Sequence, residues 1–143
     1  MSTAGQAIAE IKSEFAILPD WEERISYLIE LGRALAPLSD AEHVDANKVR
    51  GCASQVWMVC ERRPENPDLL YFRGDSDAHL VRGEIALLLR VFSGRTARDI
   101  LSVDPQALFE QLGLKDALTL QRSNGLFSMM QRMQNQARAA PQV

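Results

Sequence analysis

Cysteine occurs only twice in the 143 residues, as Cys52 and Cys60, too few for a disulfide framework. If the stretch between them is extended, strand rise sets the sulfurs ~26 Å apart, whereas a bridge needs Cα atoms within about 7 Å. Both thiols are therefore free. Histidine is equally scarce, His43 and His79, and no CxxC or HxxxH pairing offers two ligands to one metal. No metal site is expected. Long apolar runs are missing too: the longest, residues 56–60 and 85–89, fall far short of the roughly 20 that span a bilayer. Residues 1–7 carry no basic region and no apolar core, so they do not read as a secretory signal. With so little cysteine, that reading points to a reducing, cytoplasmic setting. Neither GxGxxG nor GxxxxGK[ST] is present, which removes the Gly-rich phosphate cradles. An excess of positive charge is also lacking, with 16 Lys+Arg against 19 Asp+Glu and a net charge of −3. Nucleic acid and anionic membrane are thereby disfavoured as main partners, although an acidic average can conceal a basic patch.

What is present is ordinary globular composition, 46% hydrophobic and 24% charged. The length suits one domain over residues 1–143, with residues 1–7 and 140–143 as loose ends. Ile8, Ile11 and Phe15 at helical spacing predict a helix over 4–18, broken by Pro19. Asp20 with Glu23 reads as a capping box for a second helix, whose core stripe is Trp21, Ile25, Leu28, Ile29, Gly32 and Leu35. Residues 39–48 are polar and read as a loop, and the pattern leaves a strand over 44–49 open. The period then changes. Val56, Met58 and Cys60 alternate with Trp57 and Val59, predicting a strand over 54–61 with both faces largely covered. A connection over 62–68 leads to a second strand over 69–73, antiparallel to the first. Gly74-Asp75-Ser76-Asp77 is turn chemistry ahead of a helix to Phe92, with Val81, Ile85, Leu88, Leu89 and Phe92 inward. Thr96 with Asp99 caps a further helix, and Asp104-Pro105 opens another that Gly113 ends. Ser123 caps a last helix with Leu126, Met129, Met130, Met133 and Ala137 on one face. The expected fold is α+β in two layers, a small antiparallel sheet against helices.

Gly51-Cys52 is the most informative pair. It sits where the polar loop meets the first strand, so the thiol can reach a partner, and the glycine opens backbone conformations closed to other residues. The thiolate is the reactive form, and Arg50 next door would favour it. Cysteine also serves as a small buried hydrophobe, and the residue pattern alone leaves both roles open. Cys60, in phase with Val56 and Met58, reads as core. A Cys-dependent hydrolase would need His43 or His79 beside Cys52 as base, plus an oxyanion hole. Asp75-Ser76-Asp77 reads by default as a helix cap, and Arg122-Ser123-Asn124-Gly125 as a turn and cap.

Together these segments resemble the SufE/CsdE family of sulfur-acceptor proteins. The likeness lies in Val49-Arg50-Gly51-Cys52-Ala53-Ser54-Gln55-Val56-Trp57, in Gly74-Asp75-Ser76-Asp77-Ala78 followed by Val81-Arg82-Gly83, and in Arg122-Ser123-Asn124-Gly125-Leu126. Trp21-Glu22-Glu23-Arg24 and residues 28–32 add to it, and the whole runs over residues 11–137. Ahead of Arg122 the family often has Pro-Ser, where this chain has Leu120-Gln121. The resemblance implies that Cys52 takes a sulfur atom from a cysteine desulfurase, becomes a persulfide, and stimulates the desulfurase. Sulfur would then pass to a scaffold complex, or to another acceptor, for iron–sulfur cluster assembly. It implies no cofactor of the chain's own, since the pyridoxal phosphate belongs to the desulfurase. Gly51, Asp77 and Arg122 would support the cysteine loop or contact the partner.

Overall fold

The computed structural model describes residues 3–18, 20–52, 54–112 and 120–140, with the side chains of 120–124 outside that description. Helix α1 (Ala4–Ile17) opens with a capping box. The Thr3 hydroxyl accepts from Gln6 N at 3.2 Å, and the Gln6 side chain accepts from Thr3 N at 2.8 Å. Ile11 and Phe15 are buried as their spacing predicts. Ala4 and Ala7, expected in a loose terminus, are instead buried in the first turn, and Ala4 N donates to the Asp99 carboxylate at 2.9 Å. Helix α2 (Trp21–Ala34) is capped by Asp20, which accepts from Glu23 N at 2.9 Å. Its buried residues are Leu28 and Gly32. Trp21, expected on the core stripe, is 57% exposed, because it sits in the first turn, ahead of the point where α2 meets α3 (His79–Phe92).

Helix α3 is the centre of the molecule. Ile85, Leu87, Leu88, Val91 and Phe92 are all essentially inaccessible, and α1, α2 and the sheet pack around it. The crossing with α2 is made by two glycines. A Cβ on Gly83 would stand 1.9 Å from Leu28 O, and one on Gly32 would stand 2.6 Å from His79 O.

Strands β1 (Val56–Arg63), β2 (Asn66–Ser76) and β3 (Arg95–Thr96) form an antiparallel sheet in the order β1-β2-β3. Two expectations change here, and the question left open over 44–49 is answered. Residues 62–68, read as a connection, are mostly strand: Arg63 pairs with Asn66 around a turn at Pro64-Glu65, and Pro67 falls where the register slips and no ladder N–H is needed. Gly74-Asp75-Ser76, read as a turn, continues β2, pairing with Met58, Trp57 and Val56. The third strand is Arg95–Thr96, whereas residues 44–49 hold a short 3-10 turn (Asp45–Asn47) and one bridge, Lys48 to Trp57. Strand β1 buries Val56 and Met58 but leaves Trp57, Val59 and Cys60 only partly covered.

Thr96 caps α4 (Ala97–Leu101) by accepting from Asp99 N at 3.1 Å, and Asp104 caps α5 (Pro105–Gln111). Gly113, expected to end α5, lies outside the described residues. Helix α6 (Leu120–Ala139) begins before Ser123, which is therefore inside the helix rather than its cap. Its Leu126, Met129, Met130, Met133 and Ala137 are buried together, as their spacing predicts. The architecture is α+β, helices against a small antiparallel sheet. No helix among the described residues is long and apolar enough to cross a membrane.

One ion pair ties three helices. The Arg90 guanidinium of α3 donates two hydrogen bonds to the Glu14 carboxylate of α1, at 2.8 and 2.6 Å, and the Tyr27 hydroxyl of α2 donates to the same group. Arg90 holds the Glu14 carboxyl down at about 2, below its ordinary 4.5. A lowered carboxyl pKa stabilises the fold above the unfolded value and is lost as pH falls through the folded one. Acid titration followed by circular dichroism should therefore show Glu14→Gln losing less stability than wild type between pH 4.5 and about 2.

Candidate functional site

Cys52 owes its position to the pairing on either side of it. Val49 N donates to Val56 O at 2.8 Å, and Lys48 bridges Trp57, so the two ends of the segment carrying Cys52 are drawn together at the start of β1. Gly51 has φ +88°, a conformation side-chain-bearing residues rarely adopt, and a Cβ there would stand 2.5 Å from Ser128 Oγ. The loop thus rests on α6. Cys52 Sγ donates to Gly125 O at 3.6 Å, and a Cβ on Gly125 would meet that sulfur at 3.5 Å. Gly125 and Ser128, one turn apart, make the seat on which the loop lies.

The far end of the loop is held by Asp77. Its carboxylate accepts from Gln55 N at 3.1 Å and from Gln55 Nε2 at 3.4 Å, while Asp77 N donates to Gln55 O at 3.4 Å. Ser76 Oγ donates to the same carbonyl at 2.7 Å. The Asp75-Ser76-Asp77 run is therefore not a helix cap; α3 has Ala78 at that position and no side-chain cap bond. Asp75 is buried, and accepts from Arg82, from Leu38 N at 3.1 Å and from Ser76 N at 2.8 Å. Arg82 also donates to Gly32 O and Leu35 O at the end of α2, so this ion pair fastens α2, β2 and α3 beneath the cysteine loop.

Burial, with a smaller contribution from the Glu84 carboxylate, pushes the Cys52 thiol up to about 11 from an ordinary 9.0. Arg50, expected to favour the thiolate, does not offset this; its side chain is exposed and lines a groove along α6. Burial in this seat favours the protonated thiol over the nucleophilic thiolate.

Neither histidine serves it. His43 spends both ring nitrogens elsewhere, Nδ1 on Ser39 O at 2.8 Å and Nε2 on Asp75 Oδ2 at 3.0 Å, and its ring meets Trp57 edge-on. His79 is exposed at the start of α3, and no histidine hydrogen-bonds Cys52 among the described residues. The arrangement a Cys-His hydrolase requires is not assembled. No group of three His, Cys, Asp or Glu able to hold a metal occurs among the described residues. Arg122 lies on α6 one turn before Gly125, and its side chain is outside the description.

Sequence reasoning misses the seat and Glu84. Gly125 reads as part of a turn, although a glycine within a helix marks a close approach. Glu84 shares the inward stripe of Leu80 and Leu88, and a buried carboxylate on such a stripe is the signal.

Residues 9–137 match the SufE family, described as an Fe-S metabolism associated domain. An uncharacterized SufE-like protein of Rhizobium etli is 46% identical over 134 residues, covering 92% of this chain and 90% of that protein. An uncharacterized SufE-like protein of Rhizobium meliloti is 43% identical over 132 residues, covering 92% and 94%. The solution structure of a hypothetical protein from Thermus thermophilus superposes with a TM-score of 0.72 over 96% of both chains, at 23% identity, and so shares the fold. With the family matched over nearly all its length and the GC-x-SQVW and GDSDA segments meeting at Gln55 and Asp77, the chain belongs to the SufE family of proteins associated with iron–sulfur metabolism.

Proposed function

We propose that Cys52 accepts sulfur from a cysteine desulfurase and hands it on for iron–sulfur cluster assembly. The observation that carries this reading is the position of Cys52: a lone thiol on a loop hinged at Gly51, clamped at Gln55 and laid half-buried on α6. A loop of that kind can present its sulfur to a partner and withdraw it afterwards. In the transfer, the Cys52 thiolate attacks the outer sulfur of the donor's persulfide. A bond forms between that sulfur and Cys52 Sγ, and the donor's own S–S bond breaks. The donor cysteine leaves as a thiolate and takes up a proton equivalent to the one Cys52 released, so nothing is oxidised or reduced overall. Pyridoxal phosphate acts in the desulfurase, upstream of this step. Shelter between encounters would guard a persulfide against solvent thiols and oxidants.

The test is anaerobic incubation with the cysteine desulfurase of the same cell and free cysteine, followed by intact and peptide mass spectrometry. A reducible extra sulfur should appear on Cys52, and be absent from Cys52→Ser and from mixtures lacking the desulfurase. An unmodified Cys52 beside an active desulfurase would overturn the reading. Asp77→Ala and Arg122→Ala in the same assay address loop support; an unchanged acceptance rate removes that residue from the role.

A further inference from the structure

Beyond the cysteine seat, α6 borders an open groove of about 460 Å³. One wall is the loop arm at Val49 and Arg50; the other is the α6 face carrying Ser128, Gln131, Arg132, Asn135 and Gln136. These helix positions recur at one-face spacing, so the groove follows α6 lengthwise. From Ser128 to Ala139 it runs ~16 Å at helical rise, the span of about five extended residues.

Its charge is one-sided. No described residue lining it is acidic. Among the described residues Arg132 donates to two backbone carbonyls, Lys48 O at 3.1 Å and Ala46 O at 2.8 Å, and makes no ion pair. Arg50 is exposed and makes no ion pair among the described residues. All 19 carboxylates of the sequence occur at or before Asp116, so α6 carries none, although the whole chain is net negative. Asp45 in the adjoining 3-10 turn does not line the groove. The basic patch that an acidic average can conceal is here, and it ends at Ser128, directly beneath Gly51.

We infer that this groove seats an extended, carboxylate-bearing segment of the sulfur-donating protein, laid along α6 so that the donor sulfur arrives beside Cys52. The two arginines draw in the carboxylates, and the amides of Gln131, Asn135 and Gln136 offer hydrogen bonds to a peptide backbone. An occupant at the Ser128 end meets the loop at its hinge, next to the cysteine. The inference rests on the acceptor reading of Cys52.

Exposed side chains that hold no described contact make clean probes. Gln131→Glu with Gln136→Glu places two carboxylates in the groove without changing its shape, Gln131→Lys with Gln136→Lys does the reverse, and Arg50→Glu is an independent third variant. Affinity for the desulfurase is measured in a Cys52→Ser background, where transfer cannot contribute, and sulfur acceptance in the Cys52 background. The Glu pair and Arg50→Glu should each weaken binding about tenfold, and the Lys pair should strengthen it. The desulfurase concentration that half-saturates sulfur acceptance should rise in the Glu pair and in Arg50→Glu in step with the lost affinity, while the melting temperature stays unchanged. Added salt should weaken the wild-type complex more than that of the Glu pair. Affinities of all three variants within twofold of wild type would overturn the inference while leaving sulfur acceptance intact. Weakened acceptance from a small-molecule persulfide, with desulfurase binding unaltered, would overturn it too, by making the groove a site for small anionic thiols. A wild-type chain that takes no sulfur at all is the separate failure, that of the acceptor reading, and it removes this inference as well.

Discussion

Gly83→Ala is expected to leave the chain largely unfolded at 25 °C, although one methyl group is all it adds. The added Cβ would stand 1.9 Å from Leu28 O and 2.5 Å from Leu28 C, both backbone atoms of the facing helix. No rotamer change relieves a backbone clash, so α2 must move off α3. That motion separates Leu28 and Gly32 from their contacts and strains the Arg82 hydrogen bonds to Gly32 O and Leu35 O. Overpacking in a tight core costs about 1–3 kcal/mol when side chains can shift, and more when they cannot. A single domain has only about 5–15 kcal/mol in all. Helix propensity works the other way, since alanine is better than glycine inside a helix by about 1 kcal/mol, but that gain is too small to compensate. Gly5→Ala is the control: its Cβ would meet only Thr3 Oγ1, at 3.8 Å, and should be neutral or slightly stabilising. Urea unfolding of the two variants measures the contrast. A Gly83→Ala midpoint equal to wild type would mean that α2 and α3 do not cross as closely as described.

The helices were legible wherever a 3.6-residue apolar period persisted, as in α1, α3 and the Met129–Met130–Met133 face of α6. The failures have specific causes. Gly74-Asp75-Ser76 has the composition of a turn, yet it is strand, because Asp75 finds Arg82 and the Leu38 N–H in the interior and so need not seek water. Local propensity lost to a buried ion pair. Strand β3 has only two residues, Arg95 and Thr96, too short to carry any alternation. At the site, the Gly51-Cys52 loop was visible because a glycine before a cysteine at a strand entrance is a local pattern. Its seat was not, since Gly125 lies 73 positions downstream of Cys52 and only the fold brings them together. Asp77 is intermediate: its placement near the loop followed from the family likeness, and the hydrogen bonds to Gln55 supply the geometry.

The cysteine loop itself predicts an unusual reactivity. In the free protein, alkylation of Cys52 by iodoacetamide should rise about tenfold per pH unit until the midpoint at about 11. At pH 8 it should run about 100-fold slower than in the urea-unfolded chain, whose midpoint lies near the ordinary 9.0. The sign follows from the cause. Burial disfavours the charged form, so the proton is held to higher pH, and the Glu84 carboxylate adds repulsion in the same direction. Peptide mass spectrometry assigns the label to Cys52 or Cys60, which is necessary because burial raises the Cys60 thiol as well. Glu84→Gln should lower the Cys52 midpoint but keep it above 9.0, since desolvation is the larger cause. Gly125→Leu, with no room beside the sulfur, should unseat the loop and bring the midpoint close to the unfolded value. A folded-state midpoint near 9.0 in the wild type would show that the seat does not shelter the thiol. The expected result has a direct consequence for sulfur transfer. On the acceptor role proposed for Cys52, a thiol that stays protonated at neutral pH would attack a persulfide slowly, so the residue would have to leave Gly125 first. Titrating in the desulfurase should then accelerate Cys52 alkylation, if its own persulfide is absent to compete, because docking takes over the energetic work of lifting the loop from α6.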